Sequence, residues 1–387
     1  MTLFGSAYFF YITILLMLPA IILGCMERQQ KYYGFAISLL MVYLAMAHHP
    51  KAMFYMALYC GLELVLVKAY LWLCNKGYKS LWLYYLFLVL SLSPLTMWKI
   101  ESFIGTGYGL FAFMGLSYMS FKSIQMIIEI YDGLITEVRV FDFLYFLIFF
   151  PSLLSGPIAR SREFQKDILA PKCKALYLEQ VGDGLFKVCL GLVYKFVIAA
   201  PLYQQLLLLE AKEAAIYHWL YMYCYGTYLF FDFAGYSLMA IGVGYFFGIK
   251  LPENFNKPFL ATDMKDFWNR WHMSLSYWFR DFVFSRFMMK AIKGKWFKNK
   301  LTAASIALII NMGVMGVWHG LESQYIMYGL YHGILLALTE VYQKKSRFHK
   351  KYKKNKYYKL VSWFITVNLV FFGFFIFSGA FGKMVLK

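Results

Sequence analysis

The sequence predicts an all-α polytopic membrane protein, with roughly eleven transmembrane helices plus re-entrant or interfacial helices. Three observations carry that reading. The chain is 61% hydrophobic and only 15% charged, whereas soluble domains carry about 25% charged residues. Apolar runs of the ~20 residues needed to cross a bilayer follow one another along most of its 387 residues. These runs are continuous, not the ~10-residue alternating segments of a membrane β-barrel.

The first spans are read at 3–25, 32–49, 52–74, 81–98 and 103–121, joined by short polar links. Ile22-Leu-Gly-Cys25 mimics a lipoprotein processing box. A secretory signal needs a positive leading region, yet Met1 to Tyr8 holds no Lys or Arg and Arg28 follows the run. An uncleaved span with an extracellular N-terminus is therefore expected. Glu63 and Lys68 sit inside the third span at a spacing too poor for pairing on one helix, and are read as structural.

Residues 122–142 mix charges with apolar residues and are read as interfacial. Pro151 and Pro157 then break an apolar run; either a helix ends there at the interface, or broken backbone is buried within protein. Residues 161–184 are polar. Spans follow at 185–208 and 216–232, with Glu210-Ala-Lys-Glu213 between them, and Gly242, Gly244 and Gly248 invite close helix packing. Later runs cover 301–318, 324–342 and 360–382, and 344–359 holds nine Lys or Arg and no acid. The net charge of +19 is explained by such loops lying in the cytoplasm; no separate basic domain exists to suggest nucleic acid. The six cysteines form no CxxC pair, and neither a disulfide framework nor a metal site is expected.

Chemistry concentrates in two places. Asp263 to Asp281 crowds charges, tryptophans, serines and His272 together. Read as one helix, it puts Trp268, Trp271, Leu275, Trp278 and Phe282 on a single stripe, with His272 and Ser276 one turn apart on its flank. Asp263 and Asp266 mark the helix start, and Asp266 with Arg270 makes an i, i+4 pair. A surface helix anchored by tryptophans is one reading. Polar groups buried near a membrane usually line a substrate path, so the preferred reading is a cavity wall. Its candidate lining is Trp268, Asn269, Arg270, Trp271, Ser274, Ser276 and, from the second motif, Trp318. That second motif, Trp318-His319-Gly320, ends a span free of charge. A histidine suits general-base work near neutral pH, which makes His319 the candidate base. His332 is read as structural, and His349 as solvated.

Four motifs, Phe231-Asp-Phe-Ala-Gly-Tyr-Ser237, Pro252-Glu-Asn-Phe-Asn-Lys-Pro258-Phe, Phe267 to Asp281, and Met315-Gly-Val-Trp-His-Gly320, together resemble the membrane-bound O-acyltransferase family. They cover most of 225–335. The segment after Arg280-Asp281, Phe282 to Lys290, is similar to the D-alanyl-transferring branch and lacks the Ile-Pro-Leu-Gly-Gly type segment of the polysaccharide acetyltransferases. The resemblance implies a ring of helices around a central tunnel, in one integral membrane acyltransferase domain over 1–387. Within it, 1–121 supplies N-terminal spans, 122–342 the core with both histidine motifs, and 343–387 a basic loop and last span. His319 matches the family's catalytic histidine and His272 its second one. The implied donor is D-alanine carried as a thioester on the phosphopantetheine of a small acidic carrier protein, with no tightly bound cofactor in the chain itself. The implied acceptor, reached directly or through another protein of the D-alanylation system, is a lipoteichoic acid hydroxyl outside the cell.

For an acidic partner, Arg286, Lys290 and Lys293 supply steering charge, and Met288, Met289 and Ile292 supply adaptable apolar anchors. Three other readings stay open at this point: O-acetylation of a cell-wall or exported polysaccharide, a transporter or flippase, and a scaffold that docks a protein through 286–300.

Overall fold

A computed structural model of the chain describes residues 3–212 and 214–385, so Glu213 of the expected link lies outside the described residues. Those residues form helices and connecting turns, with no strand among them. In chain order the first helices are α1 Ala7–Cys25, α2 Lys31–Met46, α3 Pro50–Asn75, α4 Leu81–Ile104, α5 Leu116–Tyr131, α6 Val140–Ile148, α7 Ser161–Leu169, α8 Lys174–Leu192 and α9 Ala200–Glu210. The rest are α10 Ala215–Phe246, α11 Met264–Trp268, α12 Met273–Phe279, α13 Ser285–Lys293, α14 Lys300–His319, α15 Ser323–Lys345, α16 Arg347–Tyr352, α17 Lys356–Phe377 and α18 Ala380–Val385.

Among the described residues, seven helices are long and apolar enough to cross a membrane: α1, α3, α4, the joined α8 and α9 (Lys174–Glu210), α10, α14 and α17. α2 is apolar but only 16 residues long. α15 has the length at 23 residues but carries Glu340, Lys344 and Lys345. The protein is a multi-pass helical membrane protein. It divides into two compact units, Met1–Leu192 with Gly235–Pro252, and Val193–Ala234 with Glu253–Lys387.

In the first unit, the expected span 103–121 is not one helix. α4 stops at Ile104, and Gly105 adopts a left-handed φ of 75°, the usual way a helix ends. α5 then begins only at Leu116. Nor does the first part of the expected interfacial stretch 122–142 lie at a surface: Lys122, Gln125 and Glu129 are at most 4% exposed, whereas Asp132, Glu137 and Arg139 are exposed. The backbone break downstream explains why. After α6, Phe150–Ser152 makes one 3-10 turn, and the prolines at 151 and 157 prevent a continuing helix. Lys122 Nζ donates to the Phe146 and Leu147 carbonyls at 2.9 and 3.2 Å and to Ser152 Oγ at 3.1 Å. Gln125 Nε2 donates to the Ala159 carbonyl at 3.1 Å. Of the two readings of this proline segment, buried broken backbone is the correct one.

Glu63 and Lys68 each find a partner on another segment. Ser91 Oγ donates to Glu63 at 2.8 Å, and Lys68 Nζ donates to the Val138 carbonyl at 3.1 Å. α8 and α10 touch at Gly184 and Gly242, where a Cβ on Gly242 would lie 2.4 Å from the Gly184 carbonyl oxygen. Gly248, by contrast, packs nothing closely and closes the turn after α10 with φ 73°.

In the second unit, α14 and α15 cross closely at Gly316 and Gly329. A Cβ on Gly316 would sit 2.5 Å from the Tyr325 carbonyl oxygen, and one on Gly329 2.5 Å from that of Met312. That crossing fixes the last turn of α14, which carries His319, against the start of α15. α17 packs on α15, with Tyr331 Oη donating to the Leu369 carbonyl at 2.9 Å.

Candidate functional site

The central motif is not the single helix its aromatic stripe suggests. Asp263 caps α11 as expected, accepting from the Lys265 and Asp266 amides at 2.9 Å. The helix then stops at Trp268, and His272 takes a left-handed conformation, φ 43°, before α12 begins. His272 and Ser276 therefore do not share a helix flank; Ser276 N–H instead donates to the His272 carbonyl at the start of α12.

The physical cause is the Pro252–Pro258 segment, which lies along the break and takes over the hydrogen bonds that a continuous helix would have made. Met273 N–H donates to the Asn254 carbonyl at 2.9 Å, and Asn256 N–H to the Arg270 carbonyl at 3.0 Å. Asn254 Oδ1 accepts from Ser274 Oγ at 2.6 Å and from the Ser274 amide at 3.3 Å.

His272 Nδ1 lies 3.3 Å from the same Asn254 Oδ1. An acceptor there places the imidazole proton on Nδ1 and leaves Nε2 free to accept. The ring is 5% exposed and rests against the edge of Phe233 at 4.6 Å. Burial, and after it the nearby His319, pushes the His272 pKa down to about 3. His272 is therefore neutral at physiological pH, and the two histidines stand within electrostatic reach of one another.

His319 is the last residue of α14, partly exposed. Trp318, Phe377 and Tyr328 surround its ring at 4.7, 5.0 and 6.2 Å between centroids. Tyr328 in turn meets the fully buried His332 at 4.6 Å. Trp268 packs on His332 at 5.3 Å. A Cβ on Gly373 would lie 2.2 Å from His332 Nε2, so this histidine fills space between α15 and α17.

A cavity of about 330 Å³ opens beside these rings. Of the seven lining residues expected, Trp268, Asn269 and Ser276 contribute to it. The other four do not line it. Trp271 packs on Phe374, Phe255 and Phe267 at 4.7, 5.0 and 5.6 Å. Ser274 is bound to Asn254, Arg270 pairs with Asp266 at 2.7 Å, and Trp318 covers His319. Sequence reasoning missed Lys265, Tyr277, Arg280, Asn311, Met312, Met315 and Glu340, all of which line the cavity. Glu340 is buried and pairs with Lys265 at 2.5 Å and Lys344 at 2.7 Å. Its position as the last acid of the chain was the available signal. Leu308, Asn311, Met312 and Met315 present one face of α14 to the cavity, and His319 continues that face one turn on.

α13 carries the expected docking residues. Only Ala291 is buried on it. Met289 and Ile292 are 61% and 48% exposed, Lys290 and Lys293 are exposed, and Arg286 and Met288 are partly covered.

The family model for membrane-bound O-acyltransferases matches residues 22–382. The chain belongs to that family. Membrane-bound O-acyltransferase relatives include a teichoic acid D-alanyltransferase of Bacillus subtilis (strain 168), 39% identical over 98% of both chains. The chain is also similar to a teichoic acid D-alanyltransferase of Streptococcus thermophilus, 37% identical over 97% of this chain and 94% of that one. A probable alginate O-acetylase of Azotobacter vinelandii is 33% identical over 69% of this chain but only 51% of its own length.

Proposed function

We propose that the protein transfers D-alanine from a thioester on the phosphopantetheine arm of a small acidic carrier protein toward hydroxyls of teichoic or lipoteichoic acid. The observation that carries this is the end-to-end similarity to teichoic acid D-alanyltransferases, covering 98% of both chains in one case.

In this reading His319 acts as general base. It takes the proton from the acceptor hydroxyl as that oxygen attacks the thioester carbonyl. The tetrahedral intermediate then collapses, the C–S bond breaks, and the proton passes to the leaving thiolate. The cavity beside α14 supports the donor assignment: Lys265, Arg280 and Glu340 are among its polar groups, and Met312, Met315 and Leu336 make an apolar wall. Such mixed walls suit an arm that alternates amides with methylenes. The exposed Met289, Lys290, Ile292 and Lys293 on α13, with Arg286 and Met288 beside them, suit docking of an acidic carrier, charge steering the encounter and apolar side chains anchoring it. With basic loops placed in the cytoplasm, α13 faces the carrier's compartment and the N-terminus lies outside.

The alginate O-acetylase relative favours a second reading, acetyl transfer to a polysaccharide. One experiment separates the two: protein in lipid vesicles is offered carrier loaded with D-alanyl or with acetyl thioester, and new oxygen esters on teichoic acid are counted. Consumption of the D-alanyl carrier alone is expected. Preference for the acetyl donor would replace the first reading by the second.

A further inference from the structure

A groove of about 880 Å³ lies where α15, α16 and α17 meet, apart from the histidine site. Tyr342, His349, Lys353 and Lys359 are among its polar lining residues, and Val361, Ile365 and Leu369 form an apolar floor along α17. His349 is not simply solvated: its Nδ1 lies 2.8 Å from Tyr358 Oη, which donates to Tyr342 Oη at 3.3 Å. The carboxylate in the lining, Asp263, is already engaged, since it caps α11 and accepts from Gln343 Nε2 at 2.9 Å.

Two properties define what fits. The first is charge: nine Lys or Arg and no acid occupy 344–359, and a polybasic segment beside a spanning helix attracts anionic lipid. The second is direction. Val361, Ile365 and Leu369 follow at i, i+4 and i+8 on one face of α17, a helix of membrane-crossing length. From Tyr357 to Leu369 that face runs about 18 Å at ~1.5 Å per residue, slightly more than one ~15 Å hydrocarbon leaflet. A soluble acidic protein meets the cations but cannot follow the floor into hydrocarbon. A zwitterionic lipid fills the floor and leaves the cations unmatched.

We propose that this groove binds an anionic phospholipid, with its phosphate at Lys353 and Lys359 and one acyl chain along Val361, Ile365 and Leu369. The site is independent of the acyl-transfer reading.

The test is native mass spectrometry of the intact protein taken from detergent micelles holding equal amounts of phosphatidylglycerol and phosphatidylcholine. Phosphatidylglycerol is expected to be retained roughly tenfold more often. Lys353→Gln with Lys359→Gln should bring retention down to the phosphatidylcholine level. Ile365→Trp, which fills the floor and leaves every charge in place, should do the same. Ile365 is 51% exposed, so the larger ring leaves the core undisturbed; Val361→Trp, at 57% exposure, is the second groove-filling variant. Equal retention of the two lipids by the unaltered protein overturns the proposal. So does full retention in both tryptophan variants, which reduces the contact to diffuse surface attraction. Binding of soluble polyglutamate through the same two lysines, without lipid preference, overturns it as well.

Discussion

The two units each contain a helix that breaks inside buried surroundings, and they solve the same problem differently. At 146–159 the freed carbonyls of Phe146, Leu147 and Ala159 are answered by long side chains from a neighbouring helix, Lys122 and Gln125 of α5. The three donors of the Lys122 ammonium meet three neutral oxygens, which spends the side chain on holding the backbone. At 269–272 the freed groups are answered by another stretch of backbone and by one amide side chain, Asn254. That arrangement needs only one nitrogen of His272 and leaves the other for an incoming group. A break closed by a buried cation is structural. A break closed by backbone leaves one nitrogen of a buried histidine uncommitted to the turn.

The largest effect expected from this contrast is on stability in the first unit. Lys122→Met keeps the stem and removes the ammonium, leaving two buried carbonyls and Ser152 without their donor. A loss of about 3 kcal/mol or more is expected, seen as a large drop in melting temperature, while turnover per folded molecule stays unchanged. Lost turnover at an unchanged melting temperature would move Lys122 into the reaction and erase the contrast.

Asn254→Ala is the matching change in the second unit. It removes the acceptor shared by His272 Nδ1 and Ser274, at a cost of about 2 kcal/mol, and it frees the imidazole to choose either tautomer. Transfer should fall further than stability alone explains, read as turnover corrected for the folded fraction. A pure stability loss would make the Asn254 contact structural like that of Lys122.

The smallest effect is a pH slope. The His272 pKa is lowered from 6.5 to about 3. Above pH 6.5 folded and unfolded chains both hold a neutral ring, and the site contributes no slope. Below it the unfolded chain takes a proton that the folded chain refuses, so stability falls with falling pH down to about 3. Between pH 6.5 and 5.5 the loss is about 1 kcal/mol. His272→Gln should remove that part of the slope in melting curves; an unaltered slope would assign it to other groups.

Much of this was legible in the sequence. Long apolar runs gave the membrane class, the crowding of polar residues marked 263–281, Asp263 was readable as a helix cap, and Asp266 with Arg270 as an ion pair. The break at His272 was not. Residues 264–284 contain neither Gly nor Pro, and the 3-4-3-4 aromatic spacing fits a helix well. What stops the helix is Asn254, eighteen residues earlier than His272, a contact that no local pattern encodes. Lys122 was misread for the same reason. A lysine among apolar residues looks interfacial until the carbonyls 24 and 25 residues further on, and the Ser152 hydroxyl 30 residues on, are seen to need it. Trp271 and Ser274 were expected to line a cavity because they belong to the polar, tryptophan-rich motif, yet Trp271 packs on Phe374 and Phe255 and Ser274 binds Asn254.

The most direct measurement is single-turnover D-alanyl transfer by His319→Ala, made alongside its melting temperature. Transfer should fall by about 10²–10⁴-fold, the range of a positioned general base, with the melting temperature held, since His319 is only partly buried at the end of α14. Transfer at the unaltered protein's rate would contradict the assignment of the base and, with it, the chemical role given to the second unit's histidines.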